Sequence, residues 1–310
     1  MKKGKIMLSL FIASLVLSAC NAKAGGEAFT FREVKNSKVE HIHGMGYING
    51  GNDIAFATHD GLYKYGKDGW QEANGQKHDY MGFQATREGF FSSGHPEVGS
   101  DLKNPFGLIK STNLGASIEQ LAFYGEIDFH YLAAGYDSNM IYVYNETATD
   151  NMEIGLHYSA DEGKTWRKVA MTGYHSNTIS NLAAHPEKEP LLGIGSQDGL
   201  FISDNYGENF TLINDAKMVT SVTLNDSGGY YSNIDSNNVY LTSFLFGNKS
   251  EREIPLPLPQ DQKLQPIIFI AVNPDNDKEL VIMTNNIDIY VTRDEGLSWD
   301  ILASDGELLD

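Results

Sequence analysis

From Phe29 onward the chain is filled by short runs in which apolar and polar side chains alternate, broken every few residues by Gly, Asn or Asp. The stretch Asp53-Ile54-Ala55-Phe56-Ala57-Thr58, then His59-Asp60, then Gly61-Leu62-Tyr63-Lys64-Tyr65, shows the form. It has the period of two of a half-buried strand, a turn, and the same period again. Four such runs can be picked out in each of six stretches, whose first runs begin at His41, Tyr80, Phe129, Ile179, Val219 and Ile267. Six repeats of four strands predict an all-β chain, with Phe29 to Val34 left over to lie against the last repeat and close it.

One octet sets the register. Ser159-Ala160-Asp161-Glu162-Gly163-Lys164-Thr165-Trp166 combines an acid that can accept turn N–H groups, a glycine free to take positive φ and a large aromatic face. It recurs as Ser203-Asp204-Asn205-Tyr206-Gly207-Glu208-Asn209-Phe210 and as Thr292-Arg293-Asp294-Glu295-Gly296-Leu297-Ser298-Trp299. A weaker copy runs from Ser111 to Ile118. With Trp70 and Glu253 as degenerate members, the eighth positions follow one another at roughly 43–48 residues, the length of a four-stranded propeller blade. Trp166 and Trp299 are expected to be buried plugs, each worth roughly 3–5 kcal/mol, and Trp70 to matter less.

The octet resembles the Asp box, or BNR repeat, of sialidase-like propellers and sortilin-type receptors. That resemblance implies a six-bladed β-propeller with the box on the turn between the third and fourth strands of a blade. Its structural positions would be Ser159, Asp161, Gly163, Trp166, Ser203, Gly207, Phe210, Asp294, Gly296 and Trp299.

The first nineteen residues change the picture of where this propeller works. Lys2, Lys3 and Lys5 precede an apolar run, Ile6 to Val16, too short for an ordinary spanning helix, and Leu17-Ser18-Ala19-Cys20 resembles a lipoprotein processing box. Cys20 is the only cysteine, which excludes an intrachain disulfide and makes it the expected lipidation site. The expected organisation is a signal peptide over 1–19, lipidated Cys20 with a tether over 20–35, and the propeller over 36–305. The protein would then sit lipid-anchored on the extracytoplasmic face of the cell membrane, as a monomer. A formal charge of −18 with five arginines excludes a nucleic-acid partner, because phosphate binding needs a basic surface.

Chemistry concentrates on one predicted face. Antiparallel strands put the start of strand one and the end of strand two of a blade on the same side, with the octet turns on the other. His41, His43, His59, His78, His95, His130 and His175 all fall on that side; His157 and His185 do not. The candidate metal or ligand residues are His43, His59, His78, His95, His130 and His175. Asp60, Asp79, Glu126 and Asp128 are beside them as weak candidates for acid–base catalysis. Imidazole with carboxylate suits a divalent transition metal such as Zn²⁺ or Cu²⁺. The same side chains could equally hydrogen-bond loop carbonyls.

His41-Ile42-His43-Gly44, Thr58-His59-Asp60-Gly61-Leu62, Met81-Gly82-Phe83, Ser93-Gly94-His95-Pro96 and Asp128-Phe129-His130 are similar to a bacterial group labelled BNR-repeat glycosylhydrolase-like, often lipoproteins. That resemblance implies fold and location. The arginine triad of a true sialidase is not found, and Arg167 and Arg293 adjoin octet turns. Two functions follow as expectations: a ligand-binding or assembly module for a glycan, metal or protein, or a glycoside hydrolase of non-sialidase type acting on surface glycans.

Overall fold

The computed structural model describes residues 28–215, 218–247, 250–258 and 264–309. Among them there is no helix; every regular element is a strand. The innermost strands are β2 (Ile42–Ile48), β6 (Asp79–Thr86), β10 (Tyr131–Ala134), β14 (Asn181–Ala184), β18 (Val219–Leu224) and β22 (Ile267–Asn273). Each begins an antiparallel meander, of four strands in blades one to five and of five in blade six, and the six meanders are arranged as the blades of a propeller. Blade one continues through β3 (Asp53–Thr58), β4 (Gly61–Gly66) and β5 (Gly69–Ala73), and blade two through β7 (Gly89–His95), β8 (Leu108–Ser111) and β9 (Glu119–Ala122). Blade three adds β11 (Ile141–Asn145), β12 (Gly155–Ser159) and β13 (Arg167–Lys168).

Alternation places one side of each strand in a blade junction, and six hydrophobic clusters result, one per junction. Phe56, Val281 and Met283 lie between blades six and one, and Phe83, Phe90 and Ile109 between blades one and two, all at most 1% exposed. No blade has a core of its own, so the stability of each rests on its neighbours.

Ring closure differs from the sequence expectation. Residues 31–33 form β1 (Phe31–Glu33), which pairs with β5 on the outside of blade one, Phe31 opposite Ala73, and not with the last blade. Closure falls to the next few residues. Val39 N–H donates to Gly306 O at 2.9 Å, Leu308 N–H donates to Ser37 O at 2.9 Å, and Lys38 bridges Glu307. Phe31 is drawn to blade one because Phe29 and the Lys64 ammonium lie against it there.

All four octets close in the same way. The hydroxyl at the first place accepts the N–H of the glycine, at 2.8 Å for Ser159, 2.9 Å for Ser203, 2.9 Å for Thr292 and 2.9 Å for Ser111. The carboxylate or amide at the third place accepts the N–H of the seventh residue, as Asp161 does from Thr165 at 2.8 Å and Asp294 from Ser298 at 2.9 Å. Backbone and hydroxyl donors from Thr165 hold the Asp161 carboxyl down at about 2. Gly163, Gly207 and Gly296 take φ of 86°, 89° and 87°, a region that a Cβ would penalise.

The aromatic plugs do not behave uniformly. Trp166 and Trp299 are only half-buried, while Trp70 is 4% exposed. The reversal follows from position: Trp70 faces the closing junction with blade six, where Phe56 and Leu302 surround it.

Candidate functional site

The six innermost strands surround a central channel of about 500 Å³. Glycines make three of these strands approach unusually closely. A Cβ on Gly44 would stand 2.9 Å from the Phe83 Cβ, and one on Gly46 would stand 2.6 Å from the Ala85 Cβ, so β2 and β6 meet only because both are glycine. Gly82, with φ 55°, does the same for blades two and three: a Cβ there would stand 2.3 Å from Phe129 O. At the mouth of the channel these two pinched junctions bring side chains of neighbouring blades into contact.

The first junction joins His43, His59 and Asp79. His43 is the unpaired residue of a bulge in β2, between Ile42 opposite Thr58 and Gly44 opposite Ala57, and the bulge aims it toward the mouth. His59 sits in the turn after β3, held where Thr58 Oγ1 donates to Gly61 O at 2.9 Å and accepts the Asp60 N–H at 3.0 Å. Asp79 is the first residue of β6. His43 Nε2 lies 3.3 Å from His59 Nε2 and 3.4 Å from Asp79 Oδ1, and His59 Nδ1 lies 2.8 Å from Asp79 Oδ2. Two ligands of a tetrahedral zinc ion, each about 2.0–2.1 Å from it, stand about 3.3 Å apart, so the two contacts of His43 Nε2 have the length of a tetrahedron's edges. One ligand atom from each residue falls within 4.8 Å of the others. Burial pushes the His43 imidazole below its ordinary value; Asp79 pulls it back up, and His59 pushes it down again. A neutral ring is the form that can ligate. The exposed His41, with φ 53°, stacks edge-on at 5.1 Å from His59.

The second junction repeats the arrangement one blade on. His95, the last residue of β7, and His130 both point Nε2 at Asp128 Oδ2, at 3.3 and 3.1 Å. Ser93 Oγ accepts the Phe129 N–H at 2.9 Å, pinning the Asp128 loop to the end of β7. The hydrogen bond that His130 donates to the Asp128 carboxylate pushes its imidazole up to about 9, so the ring is charged at neutral pH. Burial raises the Asp128 carboxyl, but the His130 hydrogen bond and the charges of His130 and His95 outweigh it and hold the group below the usual carboxylate range.

Two further residues belong here that sequence reasoning missed. Asn104 Oδ1 lies 2.6 Å from His95 Nδ1, and Glu146 Oε2 lies 3.2 Å from His130 Nδ1. Glu146 directly follows the second strand of blade three, the place of His59 in blade one and very nearly that of His95 in blade two. That shared placement was the available signal. Asn104 lies in the irregular segment between β7 and β8 and carried none.

His78 and His175 do not join either cluster. His78 is buried against Phe106, its ring 5.0 Å away, and its Nδ1 accepts the Glu97 N–H at 3.0 Å. His175 donates from Nδ1 to Gly173 O at 3.1 Å and lies edge-on to Phe201. The His78 ring turns into the core of its junction, and the His175 ring stays exposed over Phe201. Asp60 is exposed outside both clusters, and Glu126 is exposed and accepts from Asn151 Nδ2 at 2.7 Å. Of the four acids only Asp79 and Asp128 meet histidines.

No protein-family model matches the chain, and no curated protein matches it in sequence. Solved structures do match. The GH74 xyloglucanase from Xanthomonas campestris superposes with a TM-score of 0.55 at 16% identity, over 89% of this chain and 47% of that one. The Niastella koreensis GH74 enzyme gives 0.58 at 14%, over 89% and 47%. YCF48 bound to D1 peptide gives 0.51 at 12%, over 89% and 86%. The shared property is the propeller fold. The chain spans about half the length of the two GH74 enzymes, and such identities carry fold alone.

Proposed function

We propose that this propeller is a metal-binding module, lipid-anchored on the extracytoplasmic face of the cell membrane, with a divalent transition metal such as Zn²⁺ or Cu²⁺ held at the mouth of its channel. The observation that carries the metal reading is the convergence of His43, His59 and Asp79 within 4.8 Å. His43 and His59 would ligate through Nε2 and Asp79 through Oδ1. Three protein ligands leave a fourth position open to water or to a donor group of a glycan or protein ligand.

Glycoside hydrolysis, suggested by the GH74 likeness, has less support. It needs a carboxyl with a raised pKa as general acid, whereas the Asp128 carboxyl is held low by its histidines.

The test of the metal reading is calorimetric titration of Zn²⁺ into chelator-stripped, untagged protein and into a His59→Ala/Asp79→Asn variant. Removing two of three ligands should weaken zinc binding at this site by at least 100-fold, with circular dichroism unchanged. Equal uptake by both proteins would remove the site. Anchoring rests on Lys2 to Cys20, which lie outside the described residues. Cys20→Ala should move the protein from the membrane fraction to the soluble fraction. Retention in the membrane at unchanged level would rule out the lipid.

A further inference from the structure

We infer that the central channel is itself a binding site, for a small uncharged molecule with an apolar body and one hydrogen-bonding head such as a hydroxyl. The site goes beyond the metal reading and needs none of its ligands.

The first argument is charge. The chain carries 41 Asp and Glu against 23 Lys and Arg, yet among the described residues the walls of the channel are free of charged side chains. Those that line it stand at its two ends. His43 and His130 are at the histidine mouth, and Arg87, Asp137, Glu187, Asp226 and Asp277 are at the other end, where first strands turn into second ones. Between the ends the innermost strands present Met45, Met81, Tyr131 and Phe269, all half-buried. An ion lodged there would lose its water and meet no counter-charge, a cost that a neutral apolar molecule escapes. The volume, about 500 Å³, lies in the range of cavities that hold small organic ligands, and an apolar wall with few polar groups is their usual lining.

The polar groups of the wall specify the head. Asn181 is already committed to blade five: its Nδ2 donates to Val222 O at 2.8 Å and its Oδ1 accepts the Val222 N–H at 2.9 Å. Gln84 in β6 and Thr223 in β18 are half-buried and line the channel too, and among the described residues neither side chain has a hydrogen-bond partner. They belong to blades two and five, which face each other across a ring of six. Two uncommitted groups, an amide and a hydroxyl, suit one polar head between them. The many hydroxyls of a sugar would outnumber them, and each one left unpaired would weaken binding.

The far end has a floor. Arg87, in the turn after β6, pairs through Nε with Asp137 of blade three, and its Nη1 lies 3.6 Å from Asp275 Oδ1 of blade six. Blades three and six are also opposite one another, so one guanidinium ties together loops from the two sides of the opening. Its carbon lies 5.2 Å from the centre of the Tyr136 ring, and the Asp137 and Ser138 N–H groups both donate to Pro186 O of blade four at 3.0 Å. The ligand therefore enters from the histidine mouth and places its head toward Gln84 and Thr223, which lie in the half of their strands nearer the floor.

The experiment uses N-phenyl-1-naphthylamine, a neutral dye that fluoresces in apolar surroundings, on the chelator-stripped full chain. Without metal, the result is independent of whether zinc binds at His43, His59 and Asp79. The wild type should take up one equivalent saturably. Competitors of one shape then read the charge: 4-butylphenol should displace the dye at a concentration about 10-fold or more below that of 4-butylbenzoate or 4-butylbenzylammonium. Thr223→Arg, which fills and charges the wall, should weaken dye binding by about 10-fold or more, whereas Leu297→Ser, on an exposed octet turn, should leave it unchanged. Should Thr223→Arg misfold, the competition on the wild type decides alone. No saturable uptake, equal displacement by the three competitors, stronger displacement by the neutral sugar cellobiose than by 4-butylphenol, or unchanged binding in folded Thr223→Arg would each overturn the assignment.

Discussion

Trp70→Ala should destabilise the propeller by roughly 3–5 kcal/mol, the usual cost of deleting a fully buried large aromatic, and should cost more than Trp166→Ala or Trp299→Ala. Trp70 is 4% exposed, with the Phe56 and Tyr65 rings at 4.9 and 5.2 Å. Its indole Nε1–H donates to Leu302 O at 3.0 Å, across the junction where the last blade meets the first. Truncation there opens a cavity in the closing junction and removes one of the two hydrogen bonds that Leu302 O accepts, the other coming from Leu309 N–H at 3.0 Å. The other two tryptophans are half-buried. Trp166 Nε1–H donates to Gly163 O at 2.9 Å within its own octet, and Trp299 Nε1–H to Pro255 O at 2.9 Å. Their lesser burial should give a smaller loss, roughly 1–3 kcal/mol. The measurement is the urea midpoint at constant slope for the three variants. A Trp70→Ala midpoint equal to or above that of Trp166→Ala would mean that ring closure does not depend on this contact.

Gly82→Ala should have the second-largest effect and reach both fold and site. The residue sits at φ 55°, where an alanine pays roughly 1–2 kcal/mol for its Cβ. Its Cβ would also stand 2.3 Å from Phe129 O and 3.1 Å from the Leu132 Cβ, both in blade three. Relieving that overlap pushes the two blades apart at about 1–3 kcal/mol more. Asp128 directly precedes Phe129, so the same movement displaces it from His95. The expected outcome is a stability loss of roughly 2–5 kcal/mol in the urea midpoint together with a fall of the His130 imidazole from about 9 toward its ordinary 6.5, as Asp128 moves away. A variant that loses stability but keeps the raised His130 value, followed by proton NMR titration, would show that the pinch is needed for packing alone.

By itself the sequence determined the fold. Strand and turn patterns are local, so the period of two, the Gly-rich turns and the recurring octet were sufficient to give six blades, and the observed first strands begin within two residues of the expected ones in every blade. The octet is legible because its hydrogen bonds join residues at most four apart, as between Ser159 and Gly163. It also placed a row of histidines on one face, because antiparallel strands convert position along a blade into side of the disc.

Only the tertiary structure decided which of those histidines meet. His59 and Asp79 come from different blades, and their contact depends on the absence of a Cβ at Gly44 and Gly46, an inter-blade fact with no local signature. A bulge sends His43 to the mouth, whereas the ring of His78, beside the ligand candidate Asp79, turns into the core against Phe106. The division into two clusters, the recruitment of Asn104 and Glu146, and the greater burial of Trp70 all arise the same way. Strand period fixes the face on which a side chain emerges, but what it touches there is set by how closely the neighbouring blade can approach.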